Sequence, residues 1–523
     1  MNSLLGIDLG TTSLKASLFL EDGSLLAFES RGYPIVAPKS GYAEQDPEEW
    51  VKALSQACAS FKEAHPLEFG RMAGIGICGQ MHTQAYLDRE GFVLRPAITW
   101  MDQRSCGLVN DINCDEKAHD LIFQESQNFA TTTYTALQAL WVKREQETLW
   151  EKVRHILVAK DFLKYRLTGK MATDPTDASG TLLYNVKDCA WSDALLRYFG
   201  FSPSLLPEVL PSATIIGTIT REASRITGLP EGIPVANGCS DNSASALGAG
   251  MVEPGQVTLI SGTAGVITVC SDRPLPDLKH RTLCWNYCLP DRWVTLGLMQ
   301  TAGESLNWFR RAFDAPAGGE CGPTGDVFEH YDELVKNVPE ACGGLVFLPY
   351  LNGERTPHWD PFARGLFFGM SLSTDKSYFV RAVMEGVCMG FRQNIETVES
   401  LGIKVDQVRA VGGGLRSPVW LSILARIVRK PIVTVSAPDT ANLGNILLCG
   451  KAIGLFPSVE ETAKRVSTTG TRLHFPEGSP AYEKQYSIYR ELYEKLKGSY
   501  RKCFEDEAQA SGRAVQRGTG THA

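Results

Sequence analysis

Apolar and polar positions alternate at the start of the chain in a way that predicts three strands within residues 4–30. Residues 4–9 are mostly apolar, and residues 14–20 place an apolar side chain at every second position. This is the period of a strand with one buried face. Glu21-Asp22-Gly23 is a hairpin-turn signal after the second strand. These residues therefore predict a three-strand meander.

The pattern then changes to that of a helix. Asp46 is suited to cap this helix and Pro47 to open it. Its apolar stripe consists of Trp50, Leu54, Ala57 and Phe61. A buried strand follows at residues 73–78. Strand, helix and strand in this order predict an α/β layer architecture.

The second half of the chain begins with strands again and repeats this plan. A length of 523 residues is too great for one core, and Glu253-Pro254-Gly255 is a suitable joint. We expect an N-terminal domain over residues 1–252, a C-terminal domain over 253–500 and a disordered tail over 504–523.

Three regions are expected to be helical. Residues 105–230 are predicted to be mostly helical, with Pro- and Gly-rich joints. A long helix is predicted over residues 374–401, with Ser373 or Thr374 as its cap and Gly402 at its end. A last helix is predicted over residues 482–496.

Two Gly-Thr turns, each between short strands, are candidate phosphate contacts. Gly10-Thr11-Thr12 precedes a strand at residues 13–20, and Gly262-Thr263 follows a strand at residues 257–260. Such turns present backbone N–H groups and hydroxyls at one point, which suits phosphate oxygens. Asp8, just before the first turn, is suited to hold a phosphate-bound Mg²⁺. For either turn alone, an ordinary hairpin turn is the alternative.

Asp241 is the candidate catalytic residue. It lies in Gly238-Cys239-Ser240-Asp241-Asn242, between a strand at residues 233–236 and a helix rich in small residues. Phosphoryl transfer to an alcohol needs a carboxylate that accepts the hydroxyl proton. The alternative is that Asp241 only caps the helix. The context and the two Gly-Thr turns favour the catalytic interpretation.

Gly412-Gly413-Gly414 is a candidate nucleotide contact. It follows a strand at residues 408–411 and precedes a helix that Ser417 would cap. Its spacing is not that of a dinucleotide-binding fingerprint, so an NAD-dependent dehydrogenase is the weaker hypothesis. We interpret the run as bare backbone that an adenine or ribose can approach. A tight turn without a ligand is the alternative.

Gln80-Met81-His82 and Trp100-Met101-Asp102-Gln103-Arg104 form a candidate sugar pocket. Trp offers a face for C–H groups, whereas Asp, Arg and His offer directional hydrogen bonds to hydroxyls. For His82 alone, a core histidine is the alternative interpretation.

Composition excludes several classes of protein. The net charge of −7 argues against nucleic-acid binding, which usually needs a basic face. No apolar run approaches the length of a membrane span, and the N-terminus lacks the pattern of a secretion signal, so we expect a cytoplasmic protein. The fourteen cysteines are scattered without zinc spacing and are interpreted as mostly buried apolar residues.

Together these motifs resemble the FGGY carbohydrate kinases, over residues 4 to about 470, and most nearly the xylulokinase branch of that family. The segments that carry the resemblance are Gly6-Ile7-Asp8-Leu9-Gly10-Thr11-Thr12, Glu44-Gln45-Asp46-Pro47, Gly79-Gln80-Met81-His82, Trp100 with Asp102 and Arg104, Asp241-Asn242, Gly262-Thr263, the run from Leu348 to His358, and Gly412-Gly413-Gly414-Leu415-Arg416-Ser417.

The resemblance implies two α/β domains of the actin- and hexokinase-like ATPase fold, which is ribonuclease H-like, around a deep cleft. ATP and Mg²⁺ would lie mainly on the C-terminal domain and the sugar mainly on the N-terminal domain. Asp241 matches the catalytic base, Asp8 the Mg²⁺ site, and Met81 with His82 the sugar-binding pair. The positions that match the nucleotide site are Thr11, Thr12, Gly262, Thr263, Gly303, Gly413, Gly414 and Ser417.

The activity that the resemblance implies is ATP-dependent phosphorylation of a sugar hydroxyl, foremost D-xylulose to D-xylulose 5-phosphate. Met101, Thr83 and Gln138 depart from the pattern of the xylulokinase branch. Ribulose, gluconate, a polyol or glycerol therefore stay open as substrates, as does a non-catalytic, actin-like or chaperone-like ATPase. A homodimer is expected, although no residue pattern specifies it.

Overall fold

Two seven-stranded sheets with helices form the framework of the computed structural model, which describes residues 2–314, 327–412, 415, 417–435, 437, 439–467, 469–473 and 478–510. The strands up to residue 240 are β1 (Ser3–Leu9), β2 (Ser13–Leu20), β3 (Leu25–Gly32), β4 (Glu44–Gln45), β5 (Met72–Gly79), β6 (Gln84–Leu87), β7 (Ala97–Ile98), β8 (His155–Val158), β9 (Ala172–Thr173), β10 (Tyr184–Asn185), β11 (Ala190–Trp191), β12 (Glu208–Val209), β13 (Ile215–Thr218), β14 (Pro234–Ala236) and β15 (Cys239–Ser240). The later strands are β16 (Gln256–Ser261), β17 (Gly265–Ser271), β18 (Leu283–Asn286), β19 (Trp293–Met299), β20 (Val346–Leu348), β21 (Leu366–Phe368), β22 (Gln407–Val411), β23 (Ile432–Val435) and β24 (Thr469–Leu473).

Helices connect and cover these strands. In the first half they are α1 (Pro47–Ala64), α2 (Pro66–Gly70), α3 (Cys106–Cys114), α4 (Glu116–Ser126), α5 (Thr135–Glu145), α6 (Glu147–Trp150), α7 (Ala159–Thr168), α8 (Pro175–Ser179), α9 (Asp193–Phe199), α10 (Arg221–Thr227) and α11 (Asp241–Gly248). In the second half they are α12 (Gly303–Phe313), α13 (Val327–Val335), α14 (Lys376–Glu399), α15 (Pro418–Val428), α16 (Thr440–Ala452), α17 (Val459–Val466) and α18 (Pro480–Ala510). Two short 3₁₀ helices span Pro203–Leu205 and Glu340–Gly344.

The two large sheets share one central arrangement. The first sheet has the order β13-β14-β5-β1-β2-β3, with β15 also paired to β5, and the second has the order β18-β19-β17-β16-β22-β23-β24. Strand β1 is antiparallel to β2 and parallel to β5, and β16 is likewise antiparallel to β17 and parallel to β22. The predicted meander, the α/β architecture and the repeated plan are therefore confirmed.

Several local predictions are confirmed by the ends of the helices. The side chain of Asp46 caps α1, and Pro47 opens it. The four residues predicted as its buried stripe, Trp50, Leu54, Ala57 and Phe61, are at most 1% exposed. Ser417 caps α15 by accepting a hydrogen bond from the backbone N–H of Trp420. Gly402 has a positive φ of 90° just beyond α14, as expected of a glycine that ends a helix.

Two helix boundaries differ from the predictions. Helix α14 begins at Lys376, and Asp375, not Ser373 or Thr374, is its cap. The hydroxyls of Ser373 and Thr374 instead bond to Ser371 within the preceding turn. Helix α18 continues beyond residue 496 to Ala510 and so enters the segment predicted as a tail. Residues 511–523 of that tail lie outside the described residues.

The region over residues 105–230 is less uniformly helical than predicted. Helices α3 to α10 lie within it, but the short strands β8 to β13 lie between them. Strand β8 joins the small sheet β4-β7-β6-β8, and β13 joins the first large sheet.

Helices α11 and α16 pack against each other and connect the two halves. A Cβ added to Gly248 of α11 would lie 1.8 Å from the Thr440 carbonyl oxygen, and one added to Gly444 of α16 would lie 2.0 Å from the Ala244 carbonyl oxygen. The Asn445 amide of α16 donates to the Ile7 carbonyl oxygen of β1 at 2.9 Å. A helix from the second half of the chain therefore lies directly on the first sheet.

Within the part of the chain that the structure describes, no helix combines the length and apolar character that crossing a membrane would require.

Candidate active site

The first Gly-Thr turn joins β1 to β2 and places an acid beside a lysine. Asp8, at the end of β1, is 5% exposed and pairs in strand register with Lys15 of β2. The Lys15 Nζ lies 3.3 Å from an Asp8 carboxylate oxygen. Burial raises the pKa of Asp8, although the charge of Lys15 opposes this effect. The charge of Asp8 in turn raises the pKa of Lys15.

The same turn also contacts the predicted sugar pocket. The Gly10 N–H donates to the Ser13 carbonyl oxygen at 3.1 Å, which closes the turn. The Thr11 hydroxyl accepts a hydrogen bond from the Trp100 indole at 2.9 Å. Thr12 is exposed. One side of the turn is therefore fixed to Trp100, and Thr12 lies on the exposed side.

The second turn, between β16 and β17, is held by the start of α12. The N–H groups of Gly303 and Ala302 donate to the carbonyl oxygens of Gly262 and Thr263, each at 2.9 Å. A Cβ on Gly303 would lie 2.6 Å from the Gly262 carbonyl oxygen, so this close contact requires glycine. Gly262 and Thr263 are exposed. The N-terminus of α12 thus lies beside the turn, an arrangement that favours anions.

Asp241 is the first residue of α11, but it is not the helix cap. Ser240 is the cap, and its hydroxyl accepts from the Ser243 N–H at 3.4 Å. The alternative role considered for Asp241 is therefore excluded. Its carboxylate accepts one hydrogen bond, from the Asn242 N–H at 2.7 Å. Burial, reinforced by the nearby charge of Asp8, raises the pKa of Asp241 to about 7.

A cavity of about 170 Å³ brings residues of both halves together. Ligand cavities for drug-sized molecules usually exceed about 300 Å³, so this one suits a smaller molecule. The predicted site residues on its wall are Thr11, Met81, His82, Trp100 and Asp241. Other side chains on its wall are Tyr134, Asn242, Trp285, Arg355 and Trp359. An adjoining cavity of about 480 Å³ shares Trp100, Arg355 and Trp359 with it.

His82 is fixed in one tautomer. Its Nδ1 lies 2.5 Å from the Gly180 carbonyl oxygen, and because a carbonyl only accepts, Nδ1 carries the hydrogen and Nε2 is an acceptor. Burial lowers the pKa of His82 to about 4, so the ring is neutral at pH 7. The rings of Tyr134 and Trp285 contact it edge-on, with centroids 5.3 and 5.5 Å away.

Asp102 does not join this cavity. Its carboxylate is fully buried and accepts from the Ala43 N–H at 2.6 Å and from the Arg104 side chain at 2.7 and 2.8 Å. These bonds hold the loop that carries Trp100. The prediction that Asp102 contacts the sugar is therefore corrected, because its oxygens are already committed to Arg104 and the backbone.

The predicted nucleotide contacts of the second half are only partly described. Gly413 and Gly414 lie outside the described residues. The Ser417 hydroxyl donates to Asp332 at 2.5 Å while it caps α15, so it is committed within the protein.

The three departures from the xylulokinase pattern have distinct surroundings. The Thr83 hydroxyl donates to the Gln80 side chain at 3.0 Å and accepts from the Trp100 N–H at 3.2 Å. Gln138 is fully buried and donates to the Thr99 carbonyl oxygen at 2.9 Å. Met101 is 42% exposed and lines only the larger cavity. None of the three side chains lines the smaller cavity.

Lys15 and Arg355 are the charged site residues that sequence reasoning missed. Lys15 could have been found, because a hairpin in which Leu9 pairs with Leu14 also pairs Asp8 with Lys15. Arg355 belongs to the run from Leu348 to His358 that carries the resemblance, but nothing local in that run distinguishes a cavity residue from a structural one.

Two sheets with matching central strands, joined by packed helices beside a cavity that residues of both halves line, define a two-domain ATPase fold of the actin and hexokinase type. Comparison with known proteins agrees. The model of the FGGY family of carbohydrate kinases matches residues 3–248 with its N-terminal domain and residues 257–453 with its C-terminal domain. The chain belongs to this family, and it is a carbohydrate kinase.

Individual relatives match this chain over nearly its whole length. A xylulose kinase from Bacillus subtilis (strain 168) is 32% identical over 495 residues, which cover 94% of this chain and 97% of the relative. The ligand-bound structure of a xylulose kinase from Lactobacillus acidophilus is 27% identical, with a TM-score of 0.88 over 96% of this chain and 100% of that one. A gluconate kinase structure from Lactobacillus acidophilus is also 27% identical, with a TM-score of 0.88 over 96% and 99% of the two chains.

Proposed function

We propose that this protein transfers the terminal phosphoryl group of ATP to D-xylulose and forms D-xylulose 5-phosphate. The observation that carries the proposal is the position of Asp241. Its carboxylate lies on the wall of a small cavity that also presents His82 and Trp100 and that reaches the first Gly-Thr turn. The similarity to xylulose kinases over nearly the whole chain supports this sugar.

Asp241 would act as the general base. A carboxylate with a pKa of about 7 is ionised in a large part of the molecules at neutral pH, yet is basic enough to accept a proton as the hydroxyl attacks. One backbone hydrogen bond orients it. The carboxylate would thus position the sugar hydroxyl and take its proton.

His82 and Trp100 would orient the sugar. The Nε2 of neutral His82 can accept a hydrogen bond from a sugar hydroxyl, and the hydrogen bond of Nδ1 to Gly180 holds the ring in place. Trp100 presents an aromatic face to C–H groups, and its bond to Thr11 keeps that face next to the phosphate turn.

The residues around Asp8 fit a magnesium–nucleotide complex. Mg²⁺ in such sites keeps several waters and binds one or two carboxylates together with substrate phosphates. Asp8 offers a carboxylate of this kind at the end of β1, beside the first turn. When bound, Mg²⁺ would neutralise charge on the transferring phosphate.

Lys15 and the two turns would hold the phosphates themselves. The Lys15 side chain is 45% exposed beside Asp8, so its ammonium group can reach a phosphate oxygen. Thr12, Gly262 and Thr263 are exposed at their turns and offer hydroxyl and N–H donors.

We place this enzyme in the cytoplasm, with the sugar bound mainly by residues 1–252 and the nucleotide mainly by residues 253–500.

Gluconate is a second candidate substrate. A gluconate kinase structure matches this chain with the same TM-score as a xylulose kinase structure. In addition, the cavity wall carries the cationic side chain of Arg355, which suits a carboxylate.

A coupled assay of ADP release tests the proposal. D-xylulose, D-ribulose, D-gluconate, xylitol and glycerol would each be supplied with ATP and Mg²⁺. We expect sugar-dependent ADP release with the highest kcat/KM for D-xylulose. Slow ADP release that no sugar accelerates would instead support a chaperone-like ATPase and contradict the proposal.

A further inference from the structure

Arg355 is a cation on the wall of the smaller cavity, and no side chain in the described part of the chain forms a hydrogen bond or an ion pair with it. It lines both the smaller cavity and the adjoining larger one. Its backbone carbonyl oxygen accepts from His358 and Trp359. Its guanidinium group, by contrast, has neither a hydrogen bond nor an ion pair to any described residue.

The neighbouring acid, Glu354, makes no hydrogen bond or ion pair with the guanidinium group, although its charge raises the pKa of Arg355. One carboxylate oxygen of Glu354 accepts from the backbone N–H groups of Gln300 and Arg355, at 2.8 and 2.7 Å. Burial raises the pKa of Glu354 to about 8, so this group is largely protonated at neutral pH. By comparison, Arg104 in the same region is bonded to two carboxylates, those of Asp102 and Glu44, at 2.7 and 2.6 Å.

A guanidinium group on a partly buried cavity wall raises the free energy of the folded protein when it has no hydrogen-bond partner. A partly desolvated cation needs hydrogen-bond acceptors, and burial lowers the pKa of Arg355. A guanidinium group has five N–H donors and no acceptor, so the missing partner must supply oxygen atoms. The cavity that Arg355 lines is the place from which a substrate can supply them.

The surroundings of Arg355 place it at the His82 end of the cavity. Its guanidinium group lies 5.9 Å from the centre of the Trp100 ring, and its charge contributes to the low pKa of His82. The charges that act on Asp241 are those of Asp8 and Lys15. Arg355 therefore lies close to Trp100 and His82 on the wall of this cavity.

We propose that Arg355 recognises an sp² oxygen of the substrate, either the keto oxygen of an open-chain ketose or the carboxylate of a sugar acid, and so discriminates against polyols. A planar fork of N–H donors suits a carbonyl or carboxylate oxygen, and the adjacent hydroxyl of such a sugar can donate to His82. This inference rests on the proposed sugar kinase activity and narrows its substrate class.

The test compares a ketose with the polyol of the same chain length. Arg355→Met, Arg355→Lys and the wild type would be assayed with D-xylulose and with xylitol, which has a hydroxyl at C2. A hydrogen bond to a charged group is worth about 1.5–3 kcal/mol, so we expect Arg355→Met to raise the KM for D-xylulose by about 10- to 100-fold. We expect kcat and the KM for ATP to change by less than about threefold, and the KM for xylitol to change equally little.

Controls separate recognition from damage. Arg355→Lys keeps the charge but loses the fork, so its KM for D-xylulose should fall between those of the wild type and Arg355→Met. Arg273→Met removes an exposed arginine and should leave both sugars unaffected. Equal losses for D-xylulose and xylitol, or no loss for either, would overturn the inference while leaving the kinase activity intact. A wild-type chain that neither binds nor phosphorylates D-xylulose, D-gluconate or xylitol would overturn the proposed function and this inference together.

Discussion

Two acids of one site, Asp8 and Asp241, have different neighbours and therefore suit different roles. Asp8 has Lys15 at 3.3 Å, which favours its ionised form beside the phosphate turn. Asp241 has a single backbone donor and lies near the charge of Asp8. The proposed reaction therefore gives Asp8 the metal ion and Asp241 the proton of the sugar hydroxyl.

The pKa of Asp241 predicts the pH dependence of turnover. Below about pH 7 the carboxylate is mostly protonated and cannot accept the hydroxyl proton, so kcat should fall as the pH is lowered through about 7. Lys15→Met should move this limb to higher pH, because the charge of Lys15 lowers the pKa of Asp241. Measured kcat values at saturating ATP and sugar test this, and a wild-type profile that stays flat down to about pH 5 would contradict it.

The same shift predicts a stability effect of Asp241→Asn. Because the folded-state pKa lies above the unfolded value of 3.8, ionised Asp241 destabilises the fold. This loss of stability begins near the pKa of the unfolded state and reaches its full size above about pH 7. Asp241→Asn should therefore raise the Tm at about pH 8 and have little effect at about pH 4. A Tm difference that is the same at both pH values would show that Asp241 is not desolvated.

At the residue scale, the role of a residue can be predicted from the sequence when its neighbours along the chain determine that role. Asp8, Thr11, His82 and Asp241 each lie in a short motif, and the structure brings all four to one region. Asp102 was assigned to the sugar because the sequence does not show that Arg104 occupies its oxygens. The unpartnered state of Arg355 depends on side chains distant in sequence.

At the scale of elements, helix α8 links three parts of the site. The Thr176 hydroxyl accepts from the Ser240 N–H at 2.8 Å, immediately before Asp241, and donates to Asp174 at 2.8 Å. Lys160 in turn donates to Asp174 at 2.9 Å. The Gly180 carbonyl oxygen, just after α8, holds His82. The buried Lys160–Asp174 pair is thus connected through α8 to the backbone before Asp241, and the residue after α8 holds the His82 ring.

We predict that Thr176→Val lowers kcat by about 10-fold, because it removes the hydroxyl that holds the Ser240 N–H and so loosens the position of Asp241. The KM for ATP should change little. Thr176→Ser keeps the hydroxyl and should restore kcat.

The matched control is Thr227→Val, which removes a similarly buried hydroxyl from α10, where it bonds to the Ala223 carbonyl oxygen. This variant should lose stability to a similar degree but keep its kcat. If both variants lose kcat in proportion to their loss of stability, α8 has no positioning role.

Helix ends show what sequence predicts at this scale. The cap of α1 was predicted because Asp46, Pro47 and the first turn are contiguous. The cap of α14 was misplaced because Ser373, Thr374 and Asp375 are all suitable caps. In the structure, the hydroxyl groups before Asp375 form hydrogen bonds within the preceding turn, so Asp375 caps the helix.

At the scale of the whole molecule, the α11–α16 pair joins the two halves next to Asp241. Asp241 begins α11, whose Gly248 meets the start of α16, and α16 lies on β1 and β5. A movement of one half relative to the other would therefore act directly on the helix that begins with Asp241. In the proposed reaction, such a movement would exclude water from the reacting phosphate.

The close contact between α11 and α16 predicts that an added side chain at this point lowers the stability of the protein. The Cβ in Gly444→Ala would lie 2.0 Å from the Ala244 carbonyl oxygen, so the helices must move apart, at a cost of about 1–3 kcal/mol or more. We expect a lower midpoint of denaturant unfolding. Gly107→Ala, in α3 with nothing within 4 Å of the added Cβ, should be neutral or stabilise by up to about 1 kcal/mol. Equal midpoints for the two variants would contradict the close packing.

The overall plan could be predicted because each half repeats a strand, a Gly-Thr turn and a second strand in local sequence. The position of α16 on the first sheet could not be predicted. It depends on contacts such as Asn445 with Ile7, which join residues from opposite ends of the chain. The need for glycine at positions 248 and 444 becomes evident only when the positions of α11 and α16 are known.

The most direct test of the central claim is the turnover of Asp241→Asn with saturating ATP, Mg²⁺ and D-xylulose. The amide keeps the shape of the side chain but cannot accept the hydroxyl proton, so we predict that kcat falls by about 100-fold or more while ATP binding, measured by calorimetry, is retained. Turnover close to that of the wild type would contradict the assignment of Asp241 as the base that activates the sugar.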